Sequence, residues 1–285
     1  MPSKYSRSHH SNFSFRSTWI AFSAMVHKEL IIMTRYPVNF VASFFQIFFI
    51  IAVFTLAGLT FSSGTAGGDE TVSIMMASGF VLFMFVSDTL WTIGFNVRRE
   101  QVEGTLEQLY LSPASKFANL VSRVTTLLTW TSLLCLVAII VMNQWMGGLP
   151  FNYPGLALYI LLITLLGTFG MGFAFAAVTL RIKETANTLT NLLQFAFMIG
   201  CAMFFPFSAL PDFILWFSRL IPTSYSVDAF RSTLMGYPAG YPELAPIEVE
   251  IAIITIFGLV MPIIGYFLYR KAEDAVRMKG SLAEY

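Results

Sequence analysis

The stretch RREQVEGTLEQLYLSPAS, residues 98–115, is strongly polar and lies between two long apolar runs. Its eighteen residues include two basic and three acidic side chains, one glycine and one proline. Val102, Leu106 and Leu109 recur at the spacing of one helix face, and Pro113 ends a helix there. The stretch is too short to cross a bilayer. We therefore expect either a short amphipathic helix on the membrane surface or a solvated helical loop.

The remainder of the chain is unusually apolar. Of its 285 residues 56% are hydrophobic and only 12% are charged, and the mean hydropathy is +0.70. Soluble domains carry about 25% charged residues, so the composition predicts an all-α integral membrane protein. The net charge of +1 gives no indication of a nucleic-acid partner. Cys135 and Cys201 lie inside apolar runs, which is typical of buried packing residues.

Six apolar runs have the length of a membrane-spanning helix. We expect a single transmembrane domain over residues 1–285, in contact with membrane lipid, with no cleavable signal peptide and no separate soluble domain. The predicted spans are Val38–Thr60, Val72–Phe95, Leu120–Asn143, Pro154–Leu180, Thr188–Leu210 and Ile247–Tyr269.

The distribution of cations predicts the orientation of these spans. Fifteen of the seventeen Lys and Arg residues fall on one side of the six-span arrangement, and only Arg219 and Arg231 fall on the other. Cytoplasmic segments carry the excess of Lys and Arg. We therefore predict a multi-pass protein of an inner or plasma membrane with both termini in the cytoplasm.

Two further segments have amphipathic character. Residues 15–36 combine an apolar stripe with cations and a tryptophan, and Pro37 marks their end, which predicts an interfacial helix before the first span. Residues 211–246 form the longest outward segment and are rich in aromatic residues and proline. We expect short re-entrant helices there, because backbone at membrane depth needs internal hydrogen-bond partners.

Three stretches together resemble the type-2 permease family of ATP-binding cassette exporters. They are HKELIIMTRYP at 27–37, EGTLEQLYLSP at 103–113 and ALPDFILWFSRLIPTSYSVDAFR at 209–231. The resemblance implies the G-type exporter fold, in which these stretches form a connecting helix, a coupling helix that docks on the ATPase, and outward re-entrant helices. It assigns ATPase coupling to Glu103, Gly104, Thr105, Leu106, Glu107, Gln108 and Leu109, and a connecting-helix role to Lys28, Glu29 and Arg35.

The resemblance also implies partners. The chain contains no G-x-x-x-x-G-K-[ST] phosphate loop, so we expect a separate ATPase subunit to bind ATP and Mg, with no cofactor in this chain. Six helices make a thin bundle around a bulky substrate, so we expect a dimer with a second copy or a paralogue and a pathway at the interface. Drugs, lipid-linked molecules and glycans all remain open as amphipathic substrates.

Few polar side chains fall within the predicted spans. Asp88 is the one acid that lies inside an apolar run and not at its edge, and it either faces the pathway or hydrogen-bonds to a neighbouring helix. Asn187, Asn191 and Gln194 share one face of the fifth span, where they either line an entrance or join helices.

The positions of the ionisable residues also bear on whether the chain has another function. All three histidines precede the first span, so neither a metal site nor an intramembrane Ser–His hydrolase is indicated. An ion-coupled secondary transporter or channel is the alternative function, and it has only Asp88 in its support.

Overall fold

The computed structural model describes residues 37–63, 71–102, 116–146, 152–179 and 186–278, and single residues between 19 and 35. All regular secondary structure in these residues is helical, which confirms the predicted all-α class. The longer helices are α1 (Pro37–Ser63), α2 (Thr71–Val102), α3 (Lys116–Met146), α4 (Pro154–Thr179), α5 (Ala186–Gly200) and α8 (Ile247–Met278). Between α5 and α8 lie a 3-10 turn (Phe207–Ala209), α6 (Asp212–Leu220) and α7 (Pro222–Met235).

Each of the six longer helices overlaps one predicted span. Within the described residues, Pro154–Thr179 and Ile247–Ala272 are both long and apolar enough to cross a membrane. Helices α1, α2 and α3 contain 27, 32 and 31 residues, which at 1.5 Å per residue exceeds the roughly 30 Å of a hydrocarbon core. The six-span arrangement as a whole stays a prediction.

Helix α5 ends earlier than expected. We predicted a fifth span to Leu210, but the helix stops at Gly200. Ala202 has a φ of 46°, and the amides of Ala202 and Met203 donate to the carbonyl oxygens of Ile199 and Met198. This is the hydrogen-bond pattern of a Schellman cap, with alanine at the left-handed position that glycine usually takes. The predicted boundary was therefore wrong by about three turns of helix.

The core of the bundle is built on the parallel pair α4 and α8, whose contact is the most extensive in the described structure. Glycines allow the close approach: Gly167 lies against Phe257, Gly258 against Ile163, and Gly170 against Gly265. Helices α2 and α7 pack on this pair, whereas α5 touches α2 and α6 only slightly. The central cluster includes Leu82, Ile160, Met203, Val227 and Ile254.

The described residues between 19 and 35 are helical, in agreement with a helix in this region. Trp19 and Ile20 are both about 60% exposed, and Arg35 is also exposed. Lys28 and Glu29 lie outside the described residues. The interfacial location of residues 15–36 stays a prediction.

Candidate functional site

The predicted coupling residues, 103–109, lie outside the described residues, but the helices on either side of them are described. Helix α2 continues through the charged residues Arg98, Arg99 and Glu100 to Val102, and α3 begins at Lys116. Residues 103–115 therefore connect the ends of two long helices. The coupling role of this segment stays a prediction.

Asp88 lies on α2, half-buried, and accepts a hydrogen bond of 2.5 Å from Oγ1 of Thr131 on α3. A hydroxyl donating to a carboxylate makes a short, strong hydrogen bond. The contact supplies the interhelical partner that was one of the two interpretations of this acid. Its role in a transport pathway stays a prediction.

The three amides predicted on α5 have different surroundings. Nε2 of Gln194 donates to Oγ of Ser87 on α2 at 3.1 Å, whereas Asn191 is exposed on the surface. Asn187 lies in the first turn of α5, and its side chain is outside the described part. Ser87 and Asp88 are adjacent on α2 but bond to different helices, so the structure does not bring Asp88 and Gln194 into contact.

Sequence reasoning missed a buried polar cluster in the segment between α5 and α8, residues 201–246, which we call the cap. At its centre is Arg231 of α7, which is 1% exposed. Nη2 donates to the carbonyl oxygen of Ala202 at 2.5 Å, and Nη1 donates to that of Phe205 at 3.1 Å. Arg231 thus binds carbonyl groups that follow the end of α5.

The guanidinium also lies against α2. A Cβ placed on Gly79 would clash with the backbone carbonyl oxygen of Met203 and would be 2.5 Å from Nη2 of Arg231, which is too close for any side chain. Glycine is therefore required here for the approach of the cap to α2.

Asp228 lies one helical turn before Arg231 and is likewise 1% exposed. Its Oδ2 accepts hydrogen bonds of 2.7 Å from the amides of Glu243 and Leu244. Burial raises the pKa of Asp228, and these hydrogen bonds oppose the rise. Burial lowers the pKa of Arg231 to about 10 although Asp228 is nearby, so Arg231 stays cationic at neutral pH.

The carboxylate of Glu243 joins the loop after α7 to the segment after α5 through two hydrogen bonds. Its Oε1 accepts from the amide of Phe207 at 3.1 Å, and its Oε2 accepts from that of Ser208 at 2.7 Å. The Tyr241 hydroxyl lies 3.3 Å from Sδ of Met75 on α2. The cap loop is thereby bonded to α7, to the 3-10 turn and to α2.

One sequence signal pointed to this cluster. Asp228 and Arg231 are three residues apart in a predicted helix, so they share a face of it. They also lie in an unusually aromatic segment, where buried charges need partners. From the sequence alone, Arg231 stands out only as one of two cations on the predicted outward side.

Long apolar helices with a short helical cap are typical of an integral membrane protein. The sequence profile of the family described as "ABC-2 family transporter protein" matches residues 65–268, which run from before α2 into α8. The chain belongs to this family, so it is a type-2 permease of the ATP-binding cassette transporters, as the resemblance predicted.

The chain is also similar to ABC transporter G family member 20 of Dictyostelium discoideum. The two sequences are 24% identical over 176 residues, which is 59% of this chain and 23% of the relative. The chain thus corresponds to less than a quarter of that relative's length.

Proposed function

We propose that this chain is the permease of an ATP-driven exporter that moves an amphipathic substrate outward. The observation that carries the proposal is the family match over residues 65–268, which includes the charged 103–115 segment together with the helices on both sides of it.

In this proposal a separate ATPase docks on residues 103–109 and supplies ATP and Mg binding. The test is reconstitution of the permease, with and without a candidate ATPase, in vesicles that contain a fluorescent amphipathic substrate. We expect ATP-dependent substrate movement only with both proteins. Substrate movement driven by an ion gradient without the ATPase would contradict the proposal.

We further propose that a second copy or a paralogue covers the exposed faces of α1 and α5. Gln46 on α1 and Asn191 on α5 are exposed in the single chain, beside the exposed Phe45, Leu192 and Phe195. Amide side chains are costly against lipid and instead join helices in membranes. Both faces therefore suit a protein neighbour and a pathway between two copies.

Cross-linking tests the dimer. The native cysteines, Cys135 and Cys201, are buried, and replacing both with alanine gives a clean background. We expect a bifunctional thiol reagent to join two copies that carry Asn191→Cys. Ile263→Cys on α8 is the control, because Ile263 is 72% exposed and lies on a face that we assign to lipid. Dimers from Ile263→Cys but not from Asn191→Cys would contradict this interface.

We also propose that the cap lies outside the cell and that both termini are cytoplasmic. In the same cysteine-free background, Ala239→Cys in the cap and Lys271→Cys near the end of α8 place exposed thiols at opposite ends of the bundle. An impermeant thiol reagent added to intact cells is expected to label only the Ala239→Cys variant. Labelling of only the Lys271→Cys variant would invert the orientation.

A further inference from the structure

The first turn of helix α8 contains a completely buried acid, Glu250. Glu250 is 0% exposed, and neither of its carboxylate oxygens has a hydrogen-bond partner of normal geometry, although the backbone amide of Ala245 lies nearby. Its carboxyl group is a neighbour of that of Asp228, which is 1% exposed. Two groups that only accept when ionised thus face each other inside the protein.

The surrounding charges do not neutralise this pair. Arg231 on α7 is the nearby cation, but Glu243 adds a third acid, and Tyr241 in the loop and Cys201 after α5 add no positive charge. Helix α2 presents Gly79 and Met75 to the cap, and α4 has no charged residue in its sequence. The guanidinium thus lies near Asp228 and Glu243, and the charged neighbour of Glu250 is Asp228.

Two buried carboxylates in contact are not both ionised, because each disfavours the charge of the other and neither is solvated. A single proton between them converts the contact into a hydrogen bond from a carboxylic acid to a carboxylate. The Oδ2 atom of Asp228 already accepts from two amides, which stabilises the ionised form on the Asp228 side.

We infer that Asp228 and Glu250 form a proton-binding site, in which one shared proton holds α7 and the cap loop to the first turn of α8. The inference concerns the cap and the first turn of α8, and it does not depend on the substrate, the ATPase or the direction of transport.

The sign of the pH dependence follows. An unfolded chain releases the protons of both acids at about pH 4, whereas the folded pair keeps one proton to higher pH. The contribution of the pair to stability is therefore complete below about pH 4 and decreases as the pH rises towards the value at which the folded pair loses its proton.

Glu250→Gln tests the site, because the amide matches the acid in shape and donates a hydrogen bond to Asp228 without a titrating proton. We would measure the unfolding temperature of the purified protein in detergent from about pH 5 to about pH 9, the range above the ordinary pKa of a carboxyl group. The wild type is expected to lose stability towards high pH, and Glu250→Gln to lose much less. The matched control is Glu248→Gln, in the same helical turn but exposed, which should follow the wild type. Equal pH dependence in Glu250→Gln and the wild type would overturn the inference.

Infrared spectroscopy gives a second, direct readout on the wild-type protein at neutral pH. A shared proton predicts a carbonyl band of a protonated carboxylic acid that is present in the wild type and in Glu248→Gln but missing from Glu250→Gln. The same band in the Glu250→Gln variant would show that the pair does not hold the proton. Neither measurement involves transport, so failure here leaves the proposed function unaffected.

Discussion

The guanidinium of Arg231 lies directly on the backbone of Gly79, a position at which α2 presents no side chain to the cap. Two carbonyl oxygens, those of Ala202 and Phe205, hold the same guanidinium from the other side. One buried cation thus joins α2, the chain after α5, and α7. The junction requires both a glycine and an arginine, which makes it testable by substitution.

Gly79→Ala should destabilise the protein by about 1–3 kcal/mol, because the added methyl group overpacks the contact with Arg231. Gly155→Ala is the matched control, since a Cβ there meets nothing within 4 Å. Alanine favours helix over glycine by roughly 0.5–1 kcal/mol, so the control should be neutral or slightly stabilising. Unfolding temperatures in detergent compare the two variants, and equal shifts would contradict the close contact.

Arg231→Leu should be more harmful, with a loss of about 3–5 kcal/mol, because the buried acid Asp228 loses its nearby cation and two carbonyl groups lose their donor. Arg231→Lys should recover only part of this loss, since a single ammonium does not reproduce the fork of the guanidinium. The control is Arg219→Leu on the exposed side of α6, which should stay within about 0.5 kcal/mol of the wild type. Thermal unfolding of all three variants would measure this order. Similar stability of Arg231→Leu and Arg219→Leu would refute the central role of Arg231.

Asp88→Asn should lower the transport rate modestly without unfolding the protein, if this residue faces the pathway. Thr131→Val removes the hydroxyl that donates to Asp88 and should cost about 1–3 kcal/mol of stability, because it leaves the acid without that donor. The double variant should be less affected than the sum of the single ones. A vesicle transport assay and thermal unfolding separate the two roles, and an unchanged rate in Asp88→Asn would leave the residue purely structural.

Glu103→Lys combined with Glu107→Lys should abolish ATPase-coupled transport while the protein stays inserted and dimeric. The reversed charges would oppose the basic surface that we expect on the ATPase. A bulky residue at Gly104 should do the same by blocking close approach. Co-purification with the ATPase measures docking, and Glu248→Lys at the opposite end of the bundle serves as the control. Full ATPase binding and transport in both loop variants would reduce the segment to a solvated loop.

The apolar runs predicted the helices well, because burial and length in a bilayer leave a clear pattern in one sequence. The start of α4 at Pro154 agrees with its predicted span. The end of α5 could not be predicted, because the left-handed turn at Ala202 carries no glycine and its carbonyl oxygen bonds to Arg231, 29 residues further on. A helix end set by so distant a residue leaves no local signal.

The candidate site, like the helices, could be predicted from the sequence only in part. Spacing placed Asn191 and Gln194 on one face of a helix, but it gave no indication that Ser87 would be the partner of Gln194. Asp228 looked like an ordinary polar residue of the outward segment, and Glu250 like one at the start of the sixth predicted span. Their burial depends on packing among α2, α4, α7 and α8, which no single stretch of sequence contains.

Helix α2 has a consequence for how the two ends of the molecule communicate. It is one continuous helix of 32 residues, about 48 Å long, which meets Arg231 near its start and leads into residues 103–115 at its end. If docking at residues 103–115 shifts α2 against the cap, thermodynamic reciprocity requires the cap to act back on docking by the same factor. A change of pH on the side of the cap would then change the affinity of the permease for the ATPase on the opposite side of the membrane.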